Sequence, residues 1–397
     1  MKKKVWLSVF VGIAVCLLLI AGYAHVRSLP DVNVKISPAC ENTNHLFKVI
    51  TIGDKIYGDN ETSIFQLNKD FIVEKVLWRG QNIAKGSEIP FVASGTYLLK
   101  IVSFGNTLPE CRQKLLKIDT KTGKISIFPL PDGFSVFPST NGPNFSKRIS
   151  AVDNFLFIDA GEKFLIYNCK TNAFKSFSLP FYIETFCVKE KQSSGSKEKV
   201  FSVYAVVWAT DFYAFIDGSI TMRGSNFYTN EKLLWFNNQN SVSDTWRIMC
   251  DPNNSDKVEI IEKFSGGPYL IRSFSVGQAY ENSGILTVRN IISCEGEYQS
   301  FFNSDMALSG NLLLISGYEK NGRDSTASKL LVVNLPIEKR FSIKQSVCKF
   351  VDFRGNDKVL TLTPLGNSND KAEFVATGEK YIYKISVVKN GRNRTMP

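Results

Sequence analysis

Histidine is nearly absent from this chain: its 397 residues contain only His25 and His45, both close to the N-terminus. Serine- and cysteine-based catalytic triads need an imidazole held beside the nucleophile. The HExxH pattern of helical zinc sites is missing too. We therefore expect no histidine-dependent catalysis and no metal site, and we predict that the protein is not an enzyme.

Cofactor motifs are missing as well. The sequence has no CxxC or CxxCH, no DxDxDG calcium loop, no phosphate loop and no GxGxxG. These absences disfavour zinc ribbons, thioredoxin-like redox sites, attached haem, EF-hands and dinucleotide-binding folds. We expect no cofactor.

Carboxylates are the acid–base groups that remain. Asp153 and Asp159 in the segment DNFLFID are echoed by Asp211 and Asp217 in DFYAFID. Two carboxylates suffice to hydrolyse a glycosidic bond, so a carbohydrate-active hydrolase is an alternative function. The echo itself favours a structural role, because Asp at strand ends commonly binds turn amides.

A long uncharged run stands at the N-terminus. Lys2, Lys3 and Lys4 precede residues 5–24, a stretch that spans about 30 Å as a helix and so suffices to cross a bilayer. The lysines favour the cytoplasmic side, which places the remainder outside. We predict a single-pass inner-membrane anchor or uncleaved signal at residues 1–24, a polar spacer at 25–45 and a body in the bacterial periplasm. A cleaved signal peptide, releasing a soluble periplasmic protein, is the alternative.

Cysteine usage and charge agree with export. Cys16 lies in the apolar run, and the seven others allow at most three disulfides: Cys40, Cys111, Cys169, Cys187, Cys250, Cys294 and Cys348. The formal net charge is +11. Outside the cell interior this favours acidic partners or anionic lipid headgroups and disfavours nucleic acid. Lys384, Lys389, Arg392 and Arg394 form a basic C-terminus, and we expect residues 391–397 to be a disordered tail.

Short apolar segments separated by turn residues run through the rest of the chain and predict an all-β fold. Four of them share one pattern, Lys followed by apolar residues and then Asn or Asp: KLLKID (114–119), KFLIYN (163–168), KLLWFN (232–237) and KLLVVN (329–334). Weaker matches begin at residues 63, 284 and 380. A second apolar segment precedes each strong match, as in TYLLKIV (96–102) and FYAFID (212–217). A spacing near 50 residues is typical of four-stranded propeller blades.

The repeat consists of an apolar strand, a second strand with the pattern KLLxxD, a turn with TGK and a further apolar strand. In this order it resembles the repeat of the broad quinoprotein and YVTN-like β-propeller group. The resemblance implies a β-propeller over residues 46–390. We predict seven blades, with six or eight as alternatives. A large β-sandwich with accidental periodicity is the competing fold.

The layout is similar to that of membrane-anchored periplasmic immunity proteins that neutralise secreted lipase effectors, including those of type VI secretion. It is also similar to that of outer-membrane assembly scaffolds. We therefore expect a non-catalytic protein that binds a protein partner, with a delivered toxin as the candidate partner. Two polar segments in the longest repeat interval, 189–199 and 219–232, are predicted to be partner-docking loops. The candidate binding residues on them are Lys189, Lys191, Lys197, Lys199, Arg223 and Tyr228.

Overall fold

The computed structural model describes residues 32–83, 91–105, 112–132, 134, 148–160, 163–178, 182–191, 199–209, 212–223, 226–237, 243–250, 257–264, 269–275, 291–293, 301–310, 312–321, 325–334, 348–367 and 371–389. These residues form 28 strands and one 3₁₀ turn, Arg354–Asn356. The prediction of an all-β protein is confirmed. No helix in these ranges is long and apolar enough to cross a membrane, and the predicted anchor at residues 5–24 lies outside them.

The first half of the chain forms one separate strand and three complete sheets. The separate strand is β1 (Val32–Glu41). Sheet 1 contains β2 (Lys48–Ile52), β3 (Lys55–Asp59), β4 (Ser63–Leu67) and β5 (Val73–Arg79). Sheet 2 contains β6 (Val92–Ser94), β7 (Tyr97–Phe104), β8 (Arg112–Asp119) and β9 (Ile125–Pro129). Sheet 3 contains β10 (Ile149–Val152), β11 (Phe155–Asp159), β12 (Lys163–Asn168) and β13 (Ala173–Ser178).

The second half forms three more sheets and a closing one. Sheet 4 contains β14 (Tyr182–Lys191), β15 (Lys199–Ala209), β16 (Phe212–Arg223) and β17 (Asn226–Asn237). Sheet 5 contains β18 (Ser243–Cys250), β19 (Lys257–Phe264), β20 (Tyr269–Ser275) and β21 (Ile291–Ser293). Sheet 6 contains β22 (Phe301–Ser309), β23 (Leu312–Asn321), β24 (Ser325–Asn334) and β25 (Cys348–Asp352). The closing sheet contains β26 (Val359–Asn367), β27 (Lys371–Gly378) and β28 (Tyr381–Lys389), with β1 as its fourth strand.

The first strands of neighbouring sheets lie side by side. β2 contacts β6, β6 contacts β10, β10 contacts β14, and β14 contacts β18. β22 contacts β26, which in turn contacts β2. Within sheets 1 to 6 the strands then follow one another in chain order and pair antiparallel, and in the closing sheet β26, β27 and β28 are followed by β1. Sheets whose first strands line a common centre are arranged as in a β-propeller.

The hydrophobic core lies between the sheets, where strands with consecutive apolar residues use both faces. Leu98 of β7 and Leu116 of β8 pack towards sheet 1 in a cluster that includes Tyr57. Their neighbours Leu99 and Leu115 pack towards sheet 3 in a second cluster. Because side chains alternate across a strand, an unbroken apolar run is what a strand between two such interfaces requires.

The structure corrects the predicted spacer. Residues 32–41 form β1, which pairs with β28 from Val32 opposite Lys389 to Glu41 opposite Tyr381. Val32 and Val34 are buried, whereas Asn33 and Lys35 are exposed. The alternation marks a strand with one solvated face, and its polar half made the segment look like a linker. The sheet region therefore begins at Val32 rather than at residue 46.

Most repeat matches fall on the third strand of a sheet. This holds for the matches beginning at 63, 114, 163, 329 and 380, which lie in β4, β8, β12, β24 and β28. KLLWFN (232–237) is an exception, because it lies in β17, the fourth strand of sheet 4, and FYAFID (212–217) lies in the third strand rather than the second. The match beginning at 284 falls outside the described residues, as does the tail at 391–397.

Candidate binding surface

Sheet 4 is the sheet that carries the predicted binding residues, and its strands are the longest in this part of the chain. β14 to β17 contain 10, 11, 12 and 12 residues. The strands of sheet 3 contain 4, 5, 6 and 6. Since each strand residue advances the chain by about 3.3 Å, the strands of sheet 4 are roughly twice as long as those of sheet 3.

The two segments predicted as docking loops are largely strands. Residues 189–191 belong to β14 and residue 199 begins β15, while 219–223 and 226–232 belong to β16 and β17. The polar residues sit on an antiparallel ladder that continues to Arg223 opposite Asn226. The prediction of two loops was wrong because long, extended hairpins keep polar residues in regular pairing. Lys197 lies outside the described residues.

The remaining predicted residues meet at one end of sheet 4. Lys191 pairs with Val200, Val200 with Thr221, and Thr221 with Tyr228, so one row crosses all four strands. The register places the others within two residues of this row along their strands: Lys189, Lys199 and Arg223. The sheet therefore brings predicted residues from three chain segments to a common end, and their role in binding stays a prediction.

Lys199 links sheet 4 to sheet 3. Its Nζ lies 2.6 Å from Oδ2 of Asp153, in the β10–β11 turn, and 2.8 Å from Oε1 of Glu190. Partial burial alone would lower the pKa of Lys199, but hydrogen bonds to Asp153 and Glu190 raise it above its ordinary value. Burial acts to raise the pKa of Asp153, and the hydrogen bond from Lys199 outweighs it, so this pKa is lowered. Lys199 therefore connects sheets 3 and 4, and its charge is already paired with two carboxylates.

Lys189, predicted to lie on a docking loop, is buried in the sheet. Only 9% of the residue is exposed, and it pairs with Ser202 across the β14–β15 ladder. A lysine at this depth contributes much of its aliphatic stem to packing. Of the predicted set, Lys191, Arg223 and Tyr228 lie near the end of the ladder.

A disulfide fixes the other side of sheet 4. Cys187 of β14 is bonded to Cys250 at the end of β18, so the covalent link joins the first strands of sheets 4 and 5. Close by, the backbone N–H of Ile248 donates to Oγ1 of Thr185 at 3.3 Å. Sheet 4 is thus held by an ion-pair cluster on one side and a covalent bond on the other.

Of the echoed carboxylates, Asp153 and Asp159 form ion pairs within the fold. Asp159, at the end of β11, is fully buried, and its Oδ2 lies 2.5 Å from Nη1 of Arg148. Asp153 is held by Lys199. Asp217 lies in β16, opposite Tyr204 of β15, and Asp211 is outside the described residues.

Two buried lysines escaped the sequence analysis. Lys100, in the middle of β7, reaches Oδ2 of Asp59 at 2.6 Å and is 3% exposed, while Asp59 is completely buried. Burial raises the pKa of the Asp59 carboxyl, against the opposing influence of Lys100. The sequence did contain a signal, a single Lys within the apolar run TYLLKIV. A lysine in a strand that is buried on both faces cannot reach solvent and is expected to be paired.

Lys117 of β8 is the second buried lysine. Its ammonium donates to the backbone oxygen of Cys169 at 2.9 Å and to Oδ1 of Asn172, and it lies 4.8 Å from the ring centre of Tyr97 and 5.6 Å from that of Phe128. Burial lowers the pKa of Lys117. The Cys169 thiol beside it is buried, which raises its pKa to about 11 and makes it a poor nucleophile.

Comparison with known proteins yields neither a matching family model nor a significant match among curated proteins. Among solved structures, the mitotic checkpoint complex is similar with a TM-score of 0.48 and 11% identity, over 91% of this chain and 93% of that one. The Nup133 β-propeller domain of Vanderwaltozyma polyspora gives a TM-score of 0.45 and 9% identity, over 89% of this chain and 97% of the other.

An extracellular domain of a one component system from B. thetaiotaomicron gives a TM-score of 0.44 and 11% identity, over 89% of this chain. This chain spans 40% of that structure's length. At such low identity the similarities concern the fold alone. The assignment of a β-propeller arrangement to this chain therefore rests on its own strand order and on the contacts between successive first strands.

Proposed function

We propose that this protein is a membrane-tethered periplasmic binding protein whose body is a closed seven-bladed propeller and whose partner is another protein. The observation that carries the proposal is sheet 4, whose long strands bring Lys191, Arg223 and Tyr228 to one end of the sheet. Aromatic and arginine side chains are the residues that most often dominate protein–protein affinity. We further propose that the partner is a delivered toxin and that the protein acts as its immunity protein.

The seven-bladed ring is supported by the seven four-stranded sheets of the described residues. Six consecutive first-strand contacts join them, from β22 through β26, β2, β6, β10 and β14 to β18. Placing sheets 5 and 6 side by side completes the ring. The pairing of β1 with β28 supports closure, because it builds one blade from both ends of the chain.

Location in the periplasm is supported by the disulfide and by the N-terminus. Disulfides persist in oxidising compartments and are rare in reducing ones. The apolar run at residues 5–24 has the length of a membrane span. Tethering would keep the protein at the membrane surface, where a toxin that attacks lipids must act.

A rigid platform favours tight binding, because little motion remains to be lost when the partner docks. Sheet 4 meets this condition through the Cys187–Cys250 bond and the Lys199 ion pairs. The extended ladder presents main-chain and side-chain groups in fixed register, as a shape-specific contact needs.

The test is co-production of the full-length protein with a toxin encoded beside its gene, directed to the periplasm. We expect the cells to survive and the two proteins to co-purify in a fixed ratio. The variant Arg223→Glu/Tyr228→Ala should abolish both effects while the protein remains at normal abundance. The matched control is Lys175→Glu, an exposed residue on the outer strand β13 of sheet 3, which should change neither.

Survival without a complex would contradict direct neutralisation. A complex that the double variant leaves intact would show that sheet 4 is not the contact surface. If neither protection nor a complex is obtained with the unmodified protein, the immunity proposal is wrong.

A further inference from the structure

The outer edge of sheet 2 differs from the outer edges of the other sheets. Proteins commonly protect an open strand edge with charged residues, bulges or a very short strand, because such an edge pairs readily with another chain. Among the described residues, the outer strands β5, β13, β17, β25 and β1 each contain at least one charged residue, and β21 has only 3 residues. The outer strand β9, with the sequence ISIFP, has no charged residue, and its pairing with β8 has no irregularity. β9 therefore lacks the features that keep the other edges unpaired.

Hydrogen bonds at both ends of β9 show which main-chain groups lie on its open edge. The N–H of Asp119 in β8 donates to the carbonyl of Lys124 at 2.9 Å, and the N–H of Leu130 donates to the carbonyl of Gln113 in β8 at 3.5 Å. Because alternate residues of an antiparallel ladder bond to the partner strand, the even-numbered residues from 124 to 130 direct their main-chain groups towards β8. The residues that direct their main-chain groups away from β8 are Ile125, Ile127 and Pro129.

The side chains of the same residues form an exposed apolar stripe. Ile125 is 42% exposed and Ile127 is 43% exposed. They lie opposite Ile118 and Leu116 of β8, which pack in the cluster towards sheet 1, whereas Phe128 packs in the cluster towards sheet 3. An open ladder and an apolar stripe therefore coincide on one five-residue strand.

Charged residues at the two ends of β9 have opposite signs. Lys121 and Lys124 precede the strand and Asp132 follows it, and all three are exposed. If two copies of β9 run antiparallel, the lysine end of each copy lies beside the aspartate end of the other. A parallel arrangement would bring like charges together. Exposed ion pairs add little affinity, so these charges favour the antiparallel orientation of a second copy more than they strengthen it.

We infer that β9 pairs antiparallel with β9 of a second copy of this chain, across a two-fold axis at Ile127. In this register each Ile127 exchanges both main-chain hydrogen bonds with its counterpart. The N–H of each Ile125 donates to the carbonyl of Pro129 in the other copy. Pro129 has no N–H to donate, and this register requires only its carbonyl. A two-fold contact uses the same surface on both copies and closes on itself, so it produces a dimer and not a filament.

The size of this contact sets its strength. A ladder of five residues is smaller than a standard protein interface, which buries about 1,600 Å² in total. We therefore expect a reversible dimer with a Kd in the micromolar range. The inference concerns sheet 2 and does not depend on the proposed partner of sheet 4.

Disulfide cross-linking tests the register on the full-length protein, purified in a mild detergent. In the proposed dimer the two Ile127 Cα atoms lie about 5.5 Å apart, which is within the range of a disulfide. The Ile127→Cys variant, oxidised with copper phenanthroline, should form a covalent dimer on a non-reducing gel. Dithiothreitol should reverse it, and the unmodified protein shows the background from the native cysteines.

Ile125→Cys is the matched control, because Ile125 is as exposed as Ile127 and lies on the same face. The two copies of residue 125 are four positions apart along the proposed ladder, or about 13 Å, which is too far for a disulfide. We expect at least fivefold less covalent dimer from Ile125→Cys than from Ile127→Cys. The double variant Ile125→Cys/Pro129→Cys should restore the cross-link, since these positions face each other.

Light scattering after size-exclusion chromatography measures the dimer without cross-linking. The unmodified protein should shift from monomer to dimer as its concentration rises. Ile127→Lys places a charge on the open edge and should keep the protein monomeric at every concentration. Ile72→Lys changes another exposed isoleucine, just before β5, and should leave the dimer unchanged.

Each contrary result has a defined meaning. Equal cross-linking at positions 125 and 127 would indicate random collisions and refute the register. A dimer that survives Ile127→Lys would lie on another surface. Cross-linking of Ile127→Cys in intact cells to a different protein, without any dimer, would refute the second copy as the occupant. A monomer that still neutralises a toxin would refute this inference alone and leave the proposed function standing.

Discussion

Removing the disulfide between sheets 4 and 5 should weaken the protein by a predictable amount. Cys187 and Cys250 are separated by 63 residues. A cross-link over that distance restricts the unfolded chain and, by loop-closure entropy, stabilises the native state by about 4 kcal/mol. The double variant Cys187→Ala/Cys250→Ala loses this term and leaves no new free thiol. We therefore expect its unfolding free energy to fall by roughly 2–4 kcal/mol.

Equilibrium urea unfolding of the purified full-length protein, followed by tryptophan fluorescence, measures this loss. Dithiothreitol should shift the unmodified protein towards the midpoint of the double variant and should leave the variant itself unchanged. Cys40→Ala is the matched control, because Cys40 is a free, half-buried cysteine. Its midpoint should stay close to that of the parent.

Two results would refute this reasoning. If the double variant and the parent unfold within about 0.5 kcal/mol of each other, the bond contributes nothing to stability. If peptide mapping without reduction finds Cys187 and Cys250 as free thiols, the bond is absent from the protein, and one support for a periplasmic location is lost.

Three further predictions concern buried polar groups. Lys100→Met should lower the unfolding free energy at pH 7 by roughly 3–5 kcal/mol, because it leaves Asp59 charged and uncompensated. Burial raises the folded-state pKa of Asp59, so this carboxyl takes up a proton as the pH falls towards 4. Urea titrations at several pH values should therefore show the stability difference between variant and parent shrinking over that range. Asn42→Ala should cost about 1–3 kcal/mol in thermal unfolding, since its side chain makes three buried hydrogen bonds, whereas the exposed Asn44→Ala should cost almost nothing. The Cys169 thiol, with a pKa of about 11, should resist iodoacetamide at pH 8 until urea is added, and rapid labelling of the native protein would contradict its burial.

The fold class could be read from the sequence because local patterns determine it. Consecutive apolar residues such as those of KLLKID and NFLFID match strands buried on both faces, and the turn residues after them match the hairpins observed. In sheet 4 the segments FYAFID (212–217) and KLLWFN (232–237) lie one strand further along the sheet than the corresponding segments of the other repeats. The first two strands of sheet 4 contain YIETFCVKEK and KVFSVYAVVWA, whose charged ends resemble a loop when read alone.

The sequence marked the polar residues of the longest repeat interval, whose role as a binding site stays a prediction, but it did not indicate their contacts. The polar residues of the longest repeat interval do gather at one end of sheet 4. The partners of Lys199, however, include Asp153 in another sheet, and local patterns carry no information about such a pairing. The same limitation explains why Lys100 and Asp59, on neighbouring sheets, were not recognised as an ion pair.

Because β1 pairs with β28, the closing sheet can be completed only after the last of the described strands has been synthesised. β1 leaves the ribosome early, and its native neighbour β28 is made only after six other sheets. Contacts between such distant parts of a chain form slowly. Until then one edge of β1 and its apolar residues Val32 and Val34 lack their native cover, and an open strand edge invites incorrect pairing. A chain truncated before β28 would therefore keep this edge exposed permanently, which gives proteases and chaperones a direct means of recognising incomplete copies.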